Sequence, residues 1–442
     1  MSWRDEYQKK VVTAERAVKG ISSGDNVYIH SGCAEPEILV KALIARAESL
    51  RDVRIYHILT VGNADYVQPE YSKSFRHAAF FIGPNTREAV QSGRADYVPV
   101  FLSDIPRLMT SGALRIDVAL LQVTPPDDHG FCSLGVALEC SKTAALSASY
   151  VIAQVNPRMP RVWGDTFIPV NRLDAVVEVD VPLLEMPRDP IDDLHRRIGQ
   201  HVSTLIEDGC TLQIGIGGIP DSVMEFLTDR RHLGVHTEMF SDGLVDLVAS
   251  GAVTGDQKTI HPGKIVSSFV LGTRKVFDFI HDNPMVDFYP TSYVNDPFVI
   301  SQNHRMVALN SALEVDLTGQ VCADSLGHRF YSGFGGQVDF IRGAARSQNG
   351  KPIIALPSTA KEGTVSRIVP RLKPGAGVVT SRGDVHYIAT EYGVASLHGR
   401  SIRERAEALI AIAHPNFRDE LATAAADQNY MQERELIDLV NL

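Results

Sequence analysis

Residues 211–221 read Thr211-Leu-Gln-Ile-Gly-Ile-Gly-Gly-Ile-Pro-Asp221. Thr211–Ile214 is a short apolar run of the kind that forms a strand buried on both faces. Gly215, Gly217 and Gly218 then let the backbone approach a ligand closely. A helix is expected over Asp221–Leu227, with first-turn N–H groups that attract an anion. Upstream, His195–Glu207 reads as a helix that ends at the turn Asp208-Gly209. The same order occurs near the start of the chain. Val12–Lys19 is helix-like, Gly24-Asp25 follows, then the strand Val27-Tyr-Ile-His30, Gly32, and a helix over Glu37–Ile44. In both places a proline follows soon after the glycine, Pro36 and Pro220.

Val53–Ile58, Asp117–Val123 and Tyr150–Val155 add further short apolar runs between longer amphipathic ones. The alternation predicts an α/β protein of two related open α/β domains, each with a largely parallel sheet flanked by helices. A linker is expected at Glu185-Met-Pro-Arg-Asp-Pro-Ile-Asp-Asp193, where prolines and charge cluster. The domains expected are therefore 1–186 and 187–442, and 442 residues exceed one ordinary domain.

Composition narrows the function classes. Lys plus Arg number 43 against 53 Asp plus Glu, a formal charge of −10. That balance argues against a nucleic-acid partner, which needs clustered basic charge. The start, Met1-Ser-Trp-Arg-Asp-Glu6, lacks the apolar run of a signal peptide, and no window is apolar enough to cross a membrane. A soluble, cytoplasmic protein is expected. Cys33, Cys132, Cys140, Cys210 and Cys322 are scattered without CxxC spacing, so they read as small buried residues rather than disulfide or zinc ligands. His232, His236 and His261 lack a metal-ligand spacing, and no Gly-x-Ser-x-Gly elbow is present. Neither a metal nor a redox cofactor is expected.

After the glycine loop, the run Leu233-Gly-Val-His236 ends at Thr237-Glu238. Three readings of this arrangement stand open. A dinucleotide site needs Gly-x-Gly-x-x-Gly and then an acid about 20 residues on. Gly215, Gly217 and Glu238 satisfy most of it, but Pro220 holds the sixth position. Alternatively, the glycines form a plain turn and Glu238 is a solvated acid beside a helix over Leu244–Ser250, capped by Ser241 or Asp242. In the third reading Glu238 is a nucleophile in acyl chemistry, with loop N–H groups holding the oxyanion.

Seven ordered segments carry a resemblance. They are Thr124-Pro-Pro-Asp-Asp-His-Gly-Phe-Cys-Ser-Leu-Gly135, Gly215–Asp221, His236-Thr-Glu-Met-Phe-Ser-Asp-Gly243, Thr259-Ile-His-Pro-Gly-Lys264, Leu309-Asn-Ser-Ala-Leu-Glu-Val-Asp316, Ser332-Gly-Phe-Gly-Gly-Gln-Val-Asp-Phe340 and His414-Pro-Asn-Phe-Arg418. Over almost its whole length the chain resembles the acetyl-CoA hydrolase/transferase family, in particular its 4-hydroxybutyrate and butyrate CoA-transferase branch. The resemblance implies that Glu238 is the nucleophile. It implies an oxyanion site from the N–H groups of Ile219 and Gly336, and Asn295 as the residue that steadies Glu238. More distant relatives carry Asn or Val where this chain has Gly218 and Pro220.

The activity implied is exchange of CoA between acyl-CoA and small carboxylic acids, with CoA or acyl-CoA as substrate, in a homodimer or homotetramer. An acyl-CoA hydrolase using the same glutamate is the nearest alternative. A dinucleotide-binding oxidoreductase and a non-catalytic acyl-CoA sensor are more remote. Gly215, Gly217 and Gly218 in one loop, and Gly333 and Gly335 in a second, are candidate CoA contacts. Lys361 and Arg367 are candidates for its phosphates. Gly32 and Pro125–Gly130 are candidates for the acyl pocket.

Overall fold

Buried apolar runs of four to six residues, bounded by glycine turns, assemble the sheets. The computed structural model describes residues 2–431. Residue 1 and residues 432–442, the outer ends of the two expected domains, lie outside the described residues. In the first half, β1 (Asn26–Ile29), β2 (Val53–His57), β3 (Phe75–Ala79), β4 (Asp96–Tyr97), β5 (Val118–Val123), β6 (Tyr150–Val155) and β7 (Ala175–Glu178) form one sheet. Its order is β7-β6-β5-β1-β2-β3-β4, and every pairing is parallel. All six residues of β5 are buried, as a strand covered on both faces requires. Leu120 on β5 lies opposite Ile152 on β6, both fully buried. Truncating either to Ala costs about 2–5 kcal/mol. Helix α1 (Glu37–Ile44) packs Leu39 and Leu43 into the same cluster as Val27, Ile29, Val53 and Ile55. Helix α2 (Ser141–Ser147) lies between β5 and β6 in sequence.

In the second half, α3 (Asp193–Ser203) precedes β8 (Thr211–Ile214), α4 (Gly218–Glu225) and β9 (Gly234–His236). There follow β10 (Met306–Ser311), α5 (Gln337–Arg346), β11 (Lys351–Ala355), β12 (Tyr387–Thr390) and β13 (Gly393–Ser396). These strands run in the order β13-β12-β11-β10-β8-β9, parallel except for the terminal β12–β13 hairpin. The order β6-β5-β1-β2 of the first half thus recurs as β11-β10-β8-β9. The chain has two related α/β sheets, as its doubled pattern of helix, glycine turn, strand and small-residue loop predicts.

By compactness the chain divides into two units. One comprises Met1–Pro187, Thr237–Asp242 and Lys264–Asn295, and the other Arg188–His236, Gly243–Gly263 and Asp296–Leu442. The first crossing falls within the expected linker, whose residues 187–190 are exposed. A single cut at 186/187 would assign Glu238 to the second half, whereas it packs with the first unit. The reason is local. Ile265–Ser267, Val286–Phe288 and Trp163–Gly164 form adjacent parallel strands, and Val136 and Leu138 pair with Val270 and Ser268.

Several helix ends differ from expectation, each for a physical reason. Helix α3 starts at Asp193 rather than His195, because the Asp192 carboxylate caps it by accepting the His195 N–H at 2.8 Å. Helix α4 starts at Gly218 rather than Asp221, which puts Pro220 in its first turn. An N–H there has no intrahelical acceptor, so its loss is harmless. The helix expected over Leu244–Ser250 is Asp242–Ala249. Asp242, one of the two caps expected, instead accepts from Thr273 N–H, Thr273 Oγ1 and Val276 N–H at the start of helix Arg274–Ile280. Val12–Lys19 shortens to Ala14–Ala17 followed by a 3-10 turn. All five cysteines are buried.

Candidate active site

Glu238 follows β9 directly, where the chain leaves a parallel strand at its carboxyl end. Its backbone is held rather than free. The Glu238 carbonyl accepts from Ser268 N–H (3.0 Å), Phe269 N–H (3.1 Å) and Ser267 Oγ (3.2 Å). The preceding Thr237, fully buried, donates its N–H to Val266. The side chain is oriented from the other end: Asn295 Nδ2 donates to Glu238 Oε2 at 2.7 Å. Asn295 is fully buried at the end of the helical turn Thr291–Val294, and its N–H donates to the Thr291 carbonyl.

The electrostatics follow from this enclosure. Part of the Glu238 side chain keeps open surface, yet protein atoms crowd its carboxyl. Burial penalises the charge and pushes its pKa up to about 7, while the Asn295 amide favours the charged form and pulls it down. One neutral donor restores only part of the lost hydration, so burial wins. The product is an oriented carboxylate, poorly solvated and more basic than an ordinary glutamate, which is what a nucleophile needs.

The glycine loops belong to the second unit. Gly217 is the N-cap of α4 at φ +108°, a backbone that only glycine adopts at no cost. The N–H groups of Gly218 and Ile219 donate to nothing within the unit, and Pro220 has none. The first turn of α4 therefore presents two donors. The second loop also leads into a helix. Gly333 is buried, Gly335 has φ +49°, and Gly336 is the N-cap of α5. Both loops therefore end at helix N-termini, at the carboxyl edge of a parallel sheet.

Lys361 sits exposed at φ +50° in the turn of the hairpin Thr359–Ala360/Val365–Ser366. Arg367 lies at the base of that hairpin, half-buried, and burial lowers its pKa. One contact, to the Ala312 carbonyl, is 3.4 Å, and Nε has no partner within the unit. In the first unit Gly32 lies beside Leu271, and its N–H donates to Leu59. Among the described residues no cluster of three or more His, Cys, Asp and Glu is placed to hold a metal. His236 instead packs edge-on against Phe340. No described helix is long and apolar enough to cross a membrane.

The model of the acetyl-CoA hydrolase/transferase N-terminal domain matches residues 1–185, and that of the C-terminal domain matches residues 272–425. The chain belongs to the acetyl-CoA hydrolase/transferase family. Within the family it is 50% identical to the 4-hydroxybutyrate coenzyme A transferase of Clostridium kluyveri, over 95% of this chain and 98% of that one. It is also 50% identical to the succinyl-CoA:acetate/propanoyl-CoA:succinate CoA transferase of Fasciola hepatica, over 92% and 86% respectively. Among solved structures, RipA from Yersinia pestis superposes with a TM-score of 0.92 at 38% identity, covering 98% of this chain and all of that one. Membership of this family leaves no place for the dinucleotide reading of Gly215, Gly217 and Glu238. Sequence reasoning did not find Ser268 and Thr291, which hold the backbones of Glu238 and Asn295. They act through main-chain atoms, which leave no residue signature.

Proposed function

We propose that the protein is an acyl-CoA:carboxylate CoA-transferase in which Glu238 is the nucleophile. The observation that carries this reading is the Glu238 carboxylate, crowded by protein atoms, raised to a pKa of about 7 and oriented by Asn295. Glu238 attacks the acyl-CoA carbonyl, and CoA thiolate leaves, giving an acyl-glutamyl anhydride. The thiolate then attacks the glutamyl carbonyl, giving glutamyl-CoA and the free acid. A second acid reverses the sequence. Two easier steps replace one hard exchange, and the scheme needs no metal or redox cofactor.

Each tetrahedral intermediate develops an oxyanion. The N–H groups of Ile219 and Gly336, both at helix starts, are the proposed donors. Arg367 and Lys361 are the proposed contacts of CoA phosphates. Relatives at equal identity are named for different acids, so the acid is proposed only as a short one such as 4-hydroxybutyrate, butyrate, acetate or a small dicarboxylate. A homodimer or homotetramer in the cytoplasm is the proposed working form.

The test is the intermediate. Enzyme given acyl-CoA without acceptor should gain the mass of CoA less one water on the peptide containing Val235–Met239. Glu238→Ala should fold, form no adduct and lose transfer. Turnover by wild type without any adduct would refute Glu238 as nucleophile.

A further inference from the structure

Five hydrogen-bonded links close a ring through Glu238 and Asn295, all within the first unit. The Glu238 carbonyl accepts from Ser268 N–H (3.0 Å). The Ser268 carbonyl accepts from Leu138 N–H (2.9 Å) and Glu139 N–H (3.4 Å). The Glu139 carbonyl accepts from Thr291 N–H (3.1 Å), and the Thr291 carbonyl from Asn295 N–H (2.9 Å). The Asn295 amide returns to Glu238 Oε2 at 2.7 Å. Ser268, Thr291 and Asn295 are fully buried, and Glu139 is 1% exposed. The stretch Leu138-Glu139 is thus the point where the strand that holds Glu238 and the turn that holds Asn295 are joined.

The Glu139 side chain ties that point to the sheet. Its Oε1 accepts from Tyr28 OH on β1 (3.0 Å) and from Ser141 Oγ at the start of α2 (2.8 Å). Oε2 is buried and has no partner within the unit. A buried carboxyl with one unmatched oxygen destabilises the fold, and an apolar side chain of the same size would cost less. A polar group kept at such a cost, against the backbone of both candidate catalytic segments, points to function rather than stability.

We propose that Glu139 is a positioning residue. Its carboxyl, anchored on Tyr28 and Ser141, fixes the backbone that holds Glu238 through Ser268 and Asn295 through Thr291. The inference rests on the reading of Glu238 as nucleophile.

The experiment compares wild type, Glu139→Gln and Glu139→Ala by adduct formation with acyl-CoA and by steady-state kinetics. Glutamine keeps the oxygen that accepts from Tyr28 and Ser141, so its kcat should stay within about threefold of wild type. Alanine frees the 138–139 backbone. Since about 1 Å of misplacement costs about 10²-fold, kcat and the adduct rate should fall about 10²-fold, with KM for acyl-CoA changed less than about threefold. Wild-type kcat in Glu139→Ala would overturn the proposal. So would equal loss in Glu139→Gln, which would assign the role to charge, and so would a raised KM at unchanged kcat. If Glu139→Ala does not fold, Tyr28→Phe with Ser141→Ala removes both anchors. It should lower kcat at least about tenfold at constant KM, and wild-type kcat there would equally overturn the proposal. Wild type is the control: no adduct in wild type sinks the reading of Glu238, whereas a normal wild-type adduct with an unimpaired alanine variant sinks only the role of Glu139.

Discussion

In the proposed mechanism the raised pKa of Glu238 bears on both rate and stability. Its pKa is about 7 folded against an ordinary 4.5. Only the carboxylate is nucleophilic, so kcat/KM should rise with pH through about 7 and level above it. Asn295→Ala removes the hydrogen bond that lowers this pKa, so its acid limb should move to higher pH. An unmoved limb would show that the amide does not act on the ionised form. Stability runs the opposite way. Between pH 4.5 and about 7 the unfolded chain releases a proton that the folded protein keeps, so the contribution of Glu238 falls as pH rises. Glu238→Gln lacks that loss. Its advantage over wild type in unfolding free energy should grow by about 1–3 kcal/mol from pH 5 to pH 8. Denaturant titrations at the two pH values read this directly, and an equal difference at both would mean that the carboxyl is well hydrated.

The element that presents Ile219 depends on close helix packing. A Cβ on Gly199 of α3 would lie 2.5 Å from Ser222 Oγ and 2.8 Å from the Ser222 backbone of α4. Gly→Ala inside a helix gains about 1 kcal/mol of propensity, but overpacking against backbone costs about 1–3. The clash should win, because α4 can yield only by moving as a whole. Gly199→Ala should therefore lower the denaturant midpoint and also reduce kcat, since the α4 N-terminus shifts with the helix. Stabilisation with full activity would show the packing to be loose. Glu37–Ile44, Thr211–Ile214 and Tyr150–Val155 were legible to the residue, because buried elements read as unbroken or periodic apolar runs. Helix starts were less so. The start of α4 is hidden behind Pro220, and Asp242, a capping residue by type, accepts from Thr273 and Val276 at the start of a different helix, whose N-cap is Thr273. Glu238 and Asn295 are named by the family resemblance, on the segments that carry it. Glu139, Ser268 and Thr291 have no such mark, because the chain must fold before their main-chain bonds exist.

For the whole molecule, the question is whether water or a second acid resolves the intermediate, and the oxygen atoms record the answer. In the proposed cycle the acceptor carboxylate attacks glutamyl-CoA, and one of its oxygens becomes the bridge of the anhydride. When CoA thiolate attacks the acyl carbonyl, that bridging oxygen leaves with Glu238. In the next turnover Glu238 attacks fresh acyl-CoA, so either of its carboxylate oxygens can become the new bridge. Thiolate attack on the glutamyl carbonyl then expels the bridge with the released acid. Acceptor labelled with heavy oxygen should therefore pass label, through Glu238, into the acid released from the donor. Reaction in heavy-oxygen water should place no solvent oxygen in that acid. Initial rates at varied donor and acceptor should give parallel double-reciprocal lines, because the first product leaves before the second acid binds. A hydrolase using the same glutamate would incorporate solvent oxygen and release CoA without acceptor. Direct transfer in a ternary complex would give intersecting lines and leave Glu238 unlabelled. In the proposed cycle the protein atoms that crowd the Glu238 carboxyl should also keep water from glutamyl-CoA, so solvent incorporation should stay low even when acceptor is scarce.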